Sequence, residues 1–290
     1  MIIARLIGGL GNQMFQYAVG RALAVKRHAM LKLDTAAFGQ YRLRSYALQH
    51  FCIDASELTE SERAGLKLST GRRWRAGWIV ARLVRGTSLP IVRESSFLFD
   101  PTVLDAPAEC YMEGYWQSPK YFSRIEPQIR KELMVREPLV GQNLEISRRI
   151  TDCVAVSLHV RRGDYANSEQ TNRFHGTCGP EYYDAAEKHL RERIGPMQLF
   201  VFSDEPDWAE ANLRFRSPAT ILRHNGPERD YEDLRLMTMC RHHIIANSTF
   251  SWWGAWLCQN PGKLVIAPKN WFREANHSTA DLIPDSWIRL

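Results

Sequence analysis

From residue 154 onward the chain alternates short apolar runs with amphipathic segments, and this rhythm constrains the fold more than any other feature. Val154, Val156, Leu158 and Val160 fall on one face of a strand, with Ala155, Ser157, His159 and Arg161 on the other, and the strand breaks at Gly163. A loop over 166–179 follows. Helical periodicity then covers 180–193, 206–213, 230–241 and 250–259, separated by strand-like runs at 198–202, 219–222, 243–246 and 264–267. Strands alternating with helices predict an α/β fold, a parallel sheet covered on both faces. Ligands of such sheets sit at the carboxyl ends of the strands, and the polar clusters fall there: 159–164, Ser203 with Asp204, and 247–251.

The first half opens in the same way. Residues 2–7 read as a buried strand, Gly8-Gly9-Leu10-Gly11-Asn12-Gln13 as a loop, and 14–27 as a helix with Phe15, Val19, Ala22 and Leu23 on its packed face. Gly9 and Gly11 let a ligand approach the backbone, and amides at a helix start favour phosphate. A nicotinamide fingerprint is not met, because Met14 stands where its third glycine belongs, although Asp34 follows a second strand-like run at 30–33. Asn12 and Gln13 suit sugar hydroxyls or phosphate oxygens, or else cap the helix. A length of 290 residues suits two domains. The polar helical stretch over 124–150, broken by Pro138 and Gly141, places them at 1–150, carrying a helical insertion, and 151–290.

A net charge of +6 and a pI near 9.0 call for anionic partners. The six cysteines form no C-x-x-C pair and the N-terminus does not read as a signal peptide, which predicts free thiols and a cytoplasmic location. No apolar run approaches the roughly 18 residues of a membrane span. The run from Arg63 to Arg93 is basic and holds no acid, with Trp74 and Trp78 interleaved. It reads either as an amphipathic surface for anionic lipid or as a solvated basic face. Nothing matches a named nucleic-acid motif. The aromatic stretch 110–122 lines a sugar-binding groove or belongs to the core.

Arg161 and Arg162 offer permanent charge and bidentate donors to phosphate oxygens. Asn247, Ser248, Thr249, Phe250 and Ser251 open a helix, so their hydroxyls and amides can hold the same diphosphate, with Ser248 as a plain N-cap the other reading. Asp233 is either a first-turn acid or an acceptor for a base such as guanine. There is no Asp-x-Asp, and His242 and His243 are adjacent, so no metal site is predicted. If a diphosphate leaves, arginines must stabilise it, and one such donor is worth ~3 kcal/mol in the transition state.

Five motifs in order carry a resemblance: Gly8-Gly9-Leu10-Gly11-Asn12-Gln13-Met14-Phe15-Gln16-Tyr17, Gly114-Tyr115-Trp116-Gln117, His159-Val160-Arg161-Arg162-Gly163-Asp164-Tyr165, His175-Gly176-Thr177-Cys178, and the stretch from Ala246 through Asn247-Ser248-Thr249-Phe250-Ser251 to Leu257. Together they resemble the bacterial α-1,2-fucosyltransferases of glycosyltransferase family 11. The resemblance implies a GT-B architecture, two Rossmann-like domains facing across a cleft. It also implies GDP-β-L-fucose as donor and metal-free inverting transfer of fucose to the 2-hydroxyl of a terminal galactose, with no bound cofactor. By similarity, His159, Arg161 and Arg162 sit at the GDP, Asp233 takes the guanine, and Ser203, Asp204 and 248–251 line the nucleotide. Asn12 approaches the fucose or diphosphate.

Inversion places the acceptor oxygen opposite the leaving diphosphate, assisted by a base or by late proton loss. Asp164 is the first choice for that base, or a brace for the arginines, and Glu169 the second. The acceptor is expected to be a lipid-linked glycan precursor, with the basic run touching the inner membrane. Competing readings are another GDP-sugar-dependent glycosyltransferase and a noncatalytic glycan- or nucleic-acid-binding protein.

Overall fold

The computed structural model describes residues 1–39, 44–69, 88–163, 169–273 and 278–290. The chain forms two units, one of Met1–Met134 with Ala280–Leu282 and one of Val135–Thr279 with Ile283–Leu290.

Unit 1 contains β1 (Ile2–Arg5), α1 (Leu10–Arg27), β2 (Leu31–Asp34), β3 (Ser56–Glu57), α2 (Glu60–Ala64), β4 (Leu68–Ser69), β5 (Leu89–Arg93), β6 (Cys110–Glu113) and α3 (Glu126–Glu132). Its six strands are parallel, in the order β3-β2-β1-β6-β5-β4. The short apolar run of β1 suits this central place, where Ile2, Ile3 and Ala4 are buried. α1 begins at Leu10, ahead of the predicted residue 14, because Gly9 is its extended N-cap and accepts the Gln13 amide N–H at 3.1 Å. Asp34, where a dinucleotide fold would meet ribose, is buried and accepts from the Tyr111 hydroxyl at 2.7 Å and Arg63 Nε at 3.0 Å.

Unit 2 contains α4 (Gly141–Thr151), β7 (Ala155–Val160), α5 (Glu169–His175), α6 (Pro180–Ile194), β8 (Gln198–Ser203), α7 (Pro206–Asn212), β9 (Ala219–Ile221), α8 (Asp230–Met239), β10 (His242–Ile244), α9 (Thr249–Leu257), β11 (Val265–Ala267) and β12 (Ile288–Arg289). Its strands are parallel, in the order β12-β11-β10-β7-β8-β9. The chain steps outward from β7 to β9, then returns to β10 on the other side of β7. This is the Rossmann order, with its switch point between β7 and β10. Every residue of β7 is buried. Val156, Leu158 and Val160 pack with Tyr183, Ala186 and Leu190 of α6, while Ala155 packs with Ile146 and Ile150 of α4 and with Leu236 and Met237 of α8.

That second cluster moves the expected boundary. The division falls between Met134 and Val135 instead of near 150, because Ile146 and Ile150 give α4 to the second core. The loop expected over 166–179 holds α5 within it. Most of the basic run lies at 70–87, outside the described residues, and with it the membrane surface expected there. Among the described residues no helix is long and apolar enough to cross a membrane. All six cysteines are free.

Candidate active site

The loops after β7, β8 and β10 hold most of the residues the sequence singles out. The β7–β8 register pairs Val160 with Ser203, which brings Asp204 beside Arg161. The Asp204 carboxylate accepts from the backbone N–H of Arg162 at 2.9 Å and pairs with Arg161 Nη1 at 3.0 Å. Arg162 donates from Nε to Glu205 at 3.2 Å and lies with its guanidinium carbon 3.8 Å from the Trp208 ring centroid. Ser203 Oγ accepts the Glu205 N–H at 3.0 Å, which tightens the turn. Two guanidinium groups are thus held by acids and an aromatic face at a switch point, an arrangement that pre-positions donors for an anion.

His159 lies one strand position earlier, buried to 5% exposure. Burial, aided by the Arg161 charge, drives its pKa down to about 3, so the imidazole is neutral. Its ring tilts against Phe250 with centroids 5.4 Å apart, and its Nδ1 has no hydrogen-bond partner among the described residues. Buried polar atoms are normally paired, so this nitrogen is an open hydrogen-bonding position at the strand end.

The turn after β10 divides its labour. Asn247 is buried and donates to the carbonyls of His175 at 2.9 Å, Gly176 at 3.2 Å and Trp271 at 3.2 Å, while its Oδ1 accepts from Cys178 at 3.7 Å. It ties the 175–178 motif to the sheet. Ser248 caps α9, accepting the Phe250 N–H at 3.3 Å. Ser251 is buried and donates to the Ser248 carbonyl at 3.3 Å, and Thr249 starts the helix. Asp233, in the first turn of α8, accepts from Asn225 Nδ2 at 2.7 Å. Burial pushes its carboxyl up to about 7, the Asn225 hydrogen bond opposes this, and the nearby Asp230 and Glu232 charges add to it.

Unit 1 builds its own loop. Gly8 has a φ of +80°, and a Cβ there would stand 2.7 Å from Asn12 Nδ2, so only glycine lets the Asn12 amide lie this close. Asn12 Oδ1 accepts from Gln117 Nε2 at 3.1 Å. Gly9 lies against Arg44, whose Nε would be 3.6 Å from an added Cβ. Gly11 is buried at the start of α1. Gln13 is buried with its amide engaged internally: Nε2 donates to Gly8 O at 3.1 Å and Ser45 O at 2.9 Å, and Oε1 accepts the Ala47 N–H at 3.0 Å. It shapes the loop. Glu94 accepts the Tyr115 and Trp116 N–H groups at 2.7 and 2.9 Å and fixes a turn in which Trp116 has a φ of 57°.

Asp164 lies outside the described residues. Glu169 is exposed at the start of α5. Among the described residues no group of three or more His, Cys, Asp or Glu could hold a metal ion. Sequence reasoning missed Glu205, Trp208, Asn143, Asn225, Arg44 and Glu94, which lie outside the motifs. Only the Gly114 to Gln117 motif signalled Gln117.

Residues 95–290 match the sequence model of glycosyl transferase family 11. The chain belongs to glycosyltransferase family 11. An alpha-1,2-colitosyltransferase of Escherichia coli is 31% identical, with 100% of this chain and 99% of that protein covered. The O-antigen biosynthesis glycosyltransferase WbnK of Escherichia coli is 32% identical, covering 98% and 99%. A mutant of Arabidopsis thaliana FUT1 in complex with GDP superposes with a TM-score of 0.51 at 11% identity, covering 93% of this chain and 71% of that one. The family 11 chain is therefore a glycosyltransferase of GT-B type, with two Rossmann-like α/β units.

Proposed function

We propose that this family 11 enzyme transfers L-fucose from GDP-β-L-fucose to the 2-hydroxyl of a terminal galactose, inverting the anomeric centre without a metal. The observation that carries the reading is the pair Arg161 and Arg162, fixed by Asp204, Glu205 and Trp208 beside a neutral His159 at the switch point of unit 2. Arg161 is the main diphosphate contact, where negative charge grows as the sugar leaves. Asp233 accepts from guanine, and Ser248 to Ser251 bring a helix start to the phosphates. Unit 1 carries the acceptor side, and its glycine loop offers the Asn12 amide to sugar hydroxyls or phosphate oxygens. Asp164 takes the proton of the attacking hydroxyl, with Glu169 as second candidate. A relative named for O-antigen biosynthesis supports a glycan acceptor, and the GDP complex of the structural neighbour is in keeping with a GDP-sugar donor. The proposed acceptor is lipid-linked and handled at the cytoplasmic face of the inner membrane.

A second donor has a specific observation in its favour, the full-length relative named for colitose. Colitose is fucose without the 3-hydroxyl, so the same transfer chemistry serves both, and discrimination rests on whether a buried donor or acceptor waits for that hydroxyl. Transfer from GDP-fucose and GDP-colitose to lactose and N-acetyllactosamine in EDTA, with product linkage analysis, decides. GDP-fucose is expected to win, with an α-1,2 product. Arg161→Ala, still folded, is expected to lose about 100-fold or more in kcat. Preference for GDP-colitose would replace the donor, and preferential thermal stabilisation by UDP would overturn the GDP reading.

A further inference from the structure

We propose that the amide pair Asn143 and Asn225 is a positioning device that presents the Asp233 carboxylate to the purine of the donor nucleotide. The proposal rests on the reading of Asp233 as the base acceptor, and neither asparagine lies in a family motif.

The geometry is a directed relay drawn from three separate segments. His224 and Asn225 follow β9, Asn143 lies in the first turn of α4, and Asp233 lies in the first turn of α8. Asn143 is 2% exposed. Its Nδ2 donates to Asn225 Oδ1 at 3.0 Å, and Asn225 Nδ2 returns a bond to Asn143 Oδ1 at 3.0 Å. Asn143 Oδ1 also faces His224 Nε2 at 2.6 Å, which an acceptor carbonyl fixes as the protonated nitrogen. Burial and the Arg229 charge lower the His224 pKa. Asn225 Nδ2 gives its other proton to Asp233 Oδ1 at 2.7 Å. Each Asn225 donor is therefore committed, and its amide plane can turn neither away from Asp233 nor oxygen-first toward it.

The consequence for Asp233 is orientation. Oδ1 is held from inside, while Oδ2 makes no hydrogen bond to another described residue. A carboxylate set this way accepts N–H groups in its own plane. Guanine offers N1–H and the 2-amino group on one edge, hypoxanthine offers N1–H alone, and adenine presents an acceptor at N1. The relay thus favours guanine most and rejects adenine.

The charges around Asp233 make the asparagine bond matter. Asp230 and Glu232 share its helix and oppose its ionisation. Glu232 is itself ion-paired to Arg235 and stands 3.9 Å from Arg229. α9, packed on α8, carries no ionisable side chain, and α4 meets the site through neutral Asn143. Asn225 supplies the hydrogen bond that favours the charged form.

Calorimetric titration of the full chain with GDP, IDP, ADP and pyrophosphate between pH 5.5 and 8.5 tests this. Asn225→Ala is expected to weaken GDP about tenfold at pH 7, the size of one hydrogen bond to a charged group. The same substitution raises the pH midpoint of GDP binding by about one unit and leaves pyrophosphate within about twofold. Asn143→Ala should follow in the same direction with smaller effects. Asn225→Ser, which keeps a short donor, covers the case in which the alanine variant does not fold, and is expected to raise the midpoint by less. GDP affinity and pH midpoint unchanged in the asparagine variants, with Asp233→Asn impaired, would overturn the relay. Equal losses for GDP and pyrophosphate would also overturn it. If Asp233→Asn binds GDP like the parent at every pH, the base-acceptor reading itself fails.

Discussion

Gly163 has no room for a methyl group, since an added Cβ would stand 2.5 Å from Asp204 Oδ2. The same carboxylate pairs with Arg161 and accepts the Arg162 N–H, so crowding at Gly163 acts on both arginines. Gly163→Ala is expected to leave the melting temperature within about 2–4 °C of the parent, as for a change near 1 kcal/mol in a unit of this size. Donor KM should rise and kcat should fall about tenfold or more, because the arginine geometry is set by that bond. Steady-state kinetics beside a melting curve check it, and parent-like kinetics would free the arginines from Asp204. At this scale the permanent charge of Arg161 and Arg162 is legible in the sequence, since it does not depend on context. It did not make legible that Asn247 and Gln13 engage their amides on backbone carbonyls, because side-chain amides serve either role and only the neighbouring carbonyls choose.

At the scale of the elements, the two strands flanking the switch point each bury an imidazole. His159 on β7 and His243 on β10 both have pKa values lowered by burial to about 3, and His243 Nδ1 is tied to Ser157 Oγ at 2.7 Å. The sign follows from linkage. A histidine depressed below its unfolded value near 6.5 binds fewer protons when folded. Its neutral state costs nothing above pH 6.5, and stability is lost as pH falls from there toward 3. Denaturant midpoints are therefore expected to drop between pH 6.5 and 4, and His243→Gln should flatten that fall. A profile flat over this window would show that neither ring stays neutral in the folded state. The strands themselves were readable from alternation, and β7 to β11 lie within a residue or two of the predicted runs. Alternation did not reveal that both faces of β7 are buried, which follows from α6 on one side and α4 with α8 on the other.

For the whole molecule, the last residues serve both units. Asp281 accepts the Phe99 N–H at 2.8 Å and pairs with Lys120 in unit 1. In unit 2, β12 pairs with β11 and Trp287 packs 5.6 Å from Trp252. Deleting 280–290 removes an edge strand and a buried tryptophan, a loss of about 3–5 kcal/mol for the ring alone. The melting temperature is expected to fall by about 10 °C or more, or the protein to be recovered unfolded. Asp281→Asn should cost far less. Unchanged melting of the truncated chain would make the tail accessory.

The sequence by itself determined the parallel α/β class and, through five motifs in order, the family, because hydrophobic period and motif spacing are local properties of the chain. The polar residues at the strand ends are also legible once the strands are. Only the tertiary structure decided which partners hold them. Asp204 stands 42 residues from Arg162, and Asn225 stands 82 from Asn143. Pairings of that separation follow from strand order and helix packing, which no local pattern encodes.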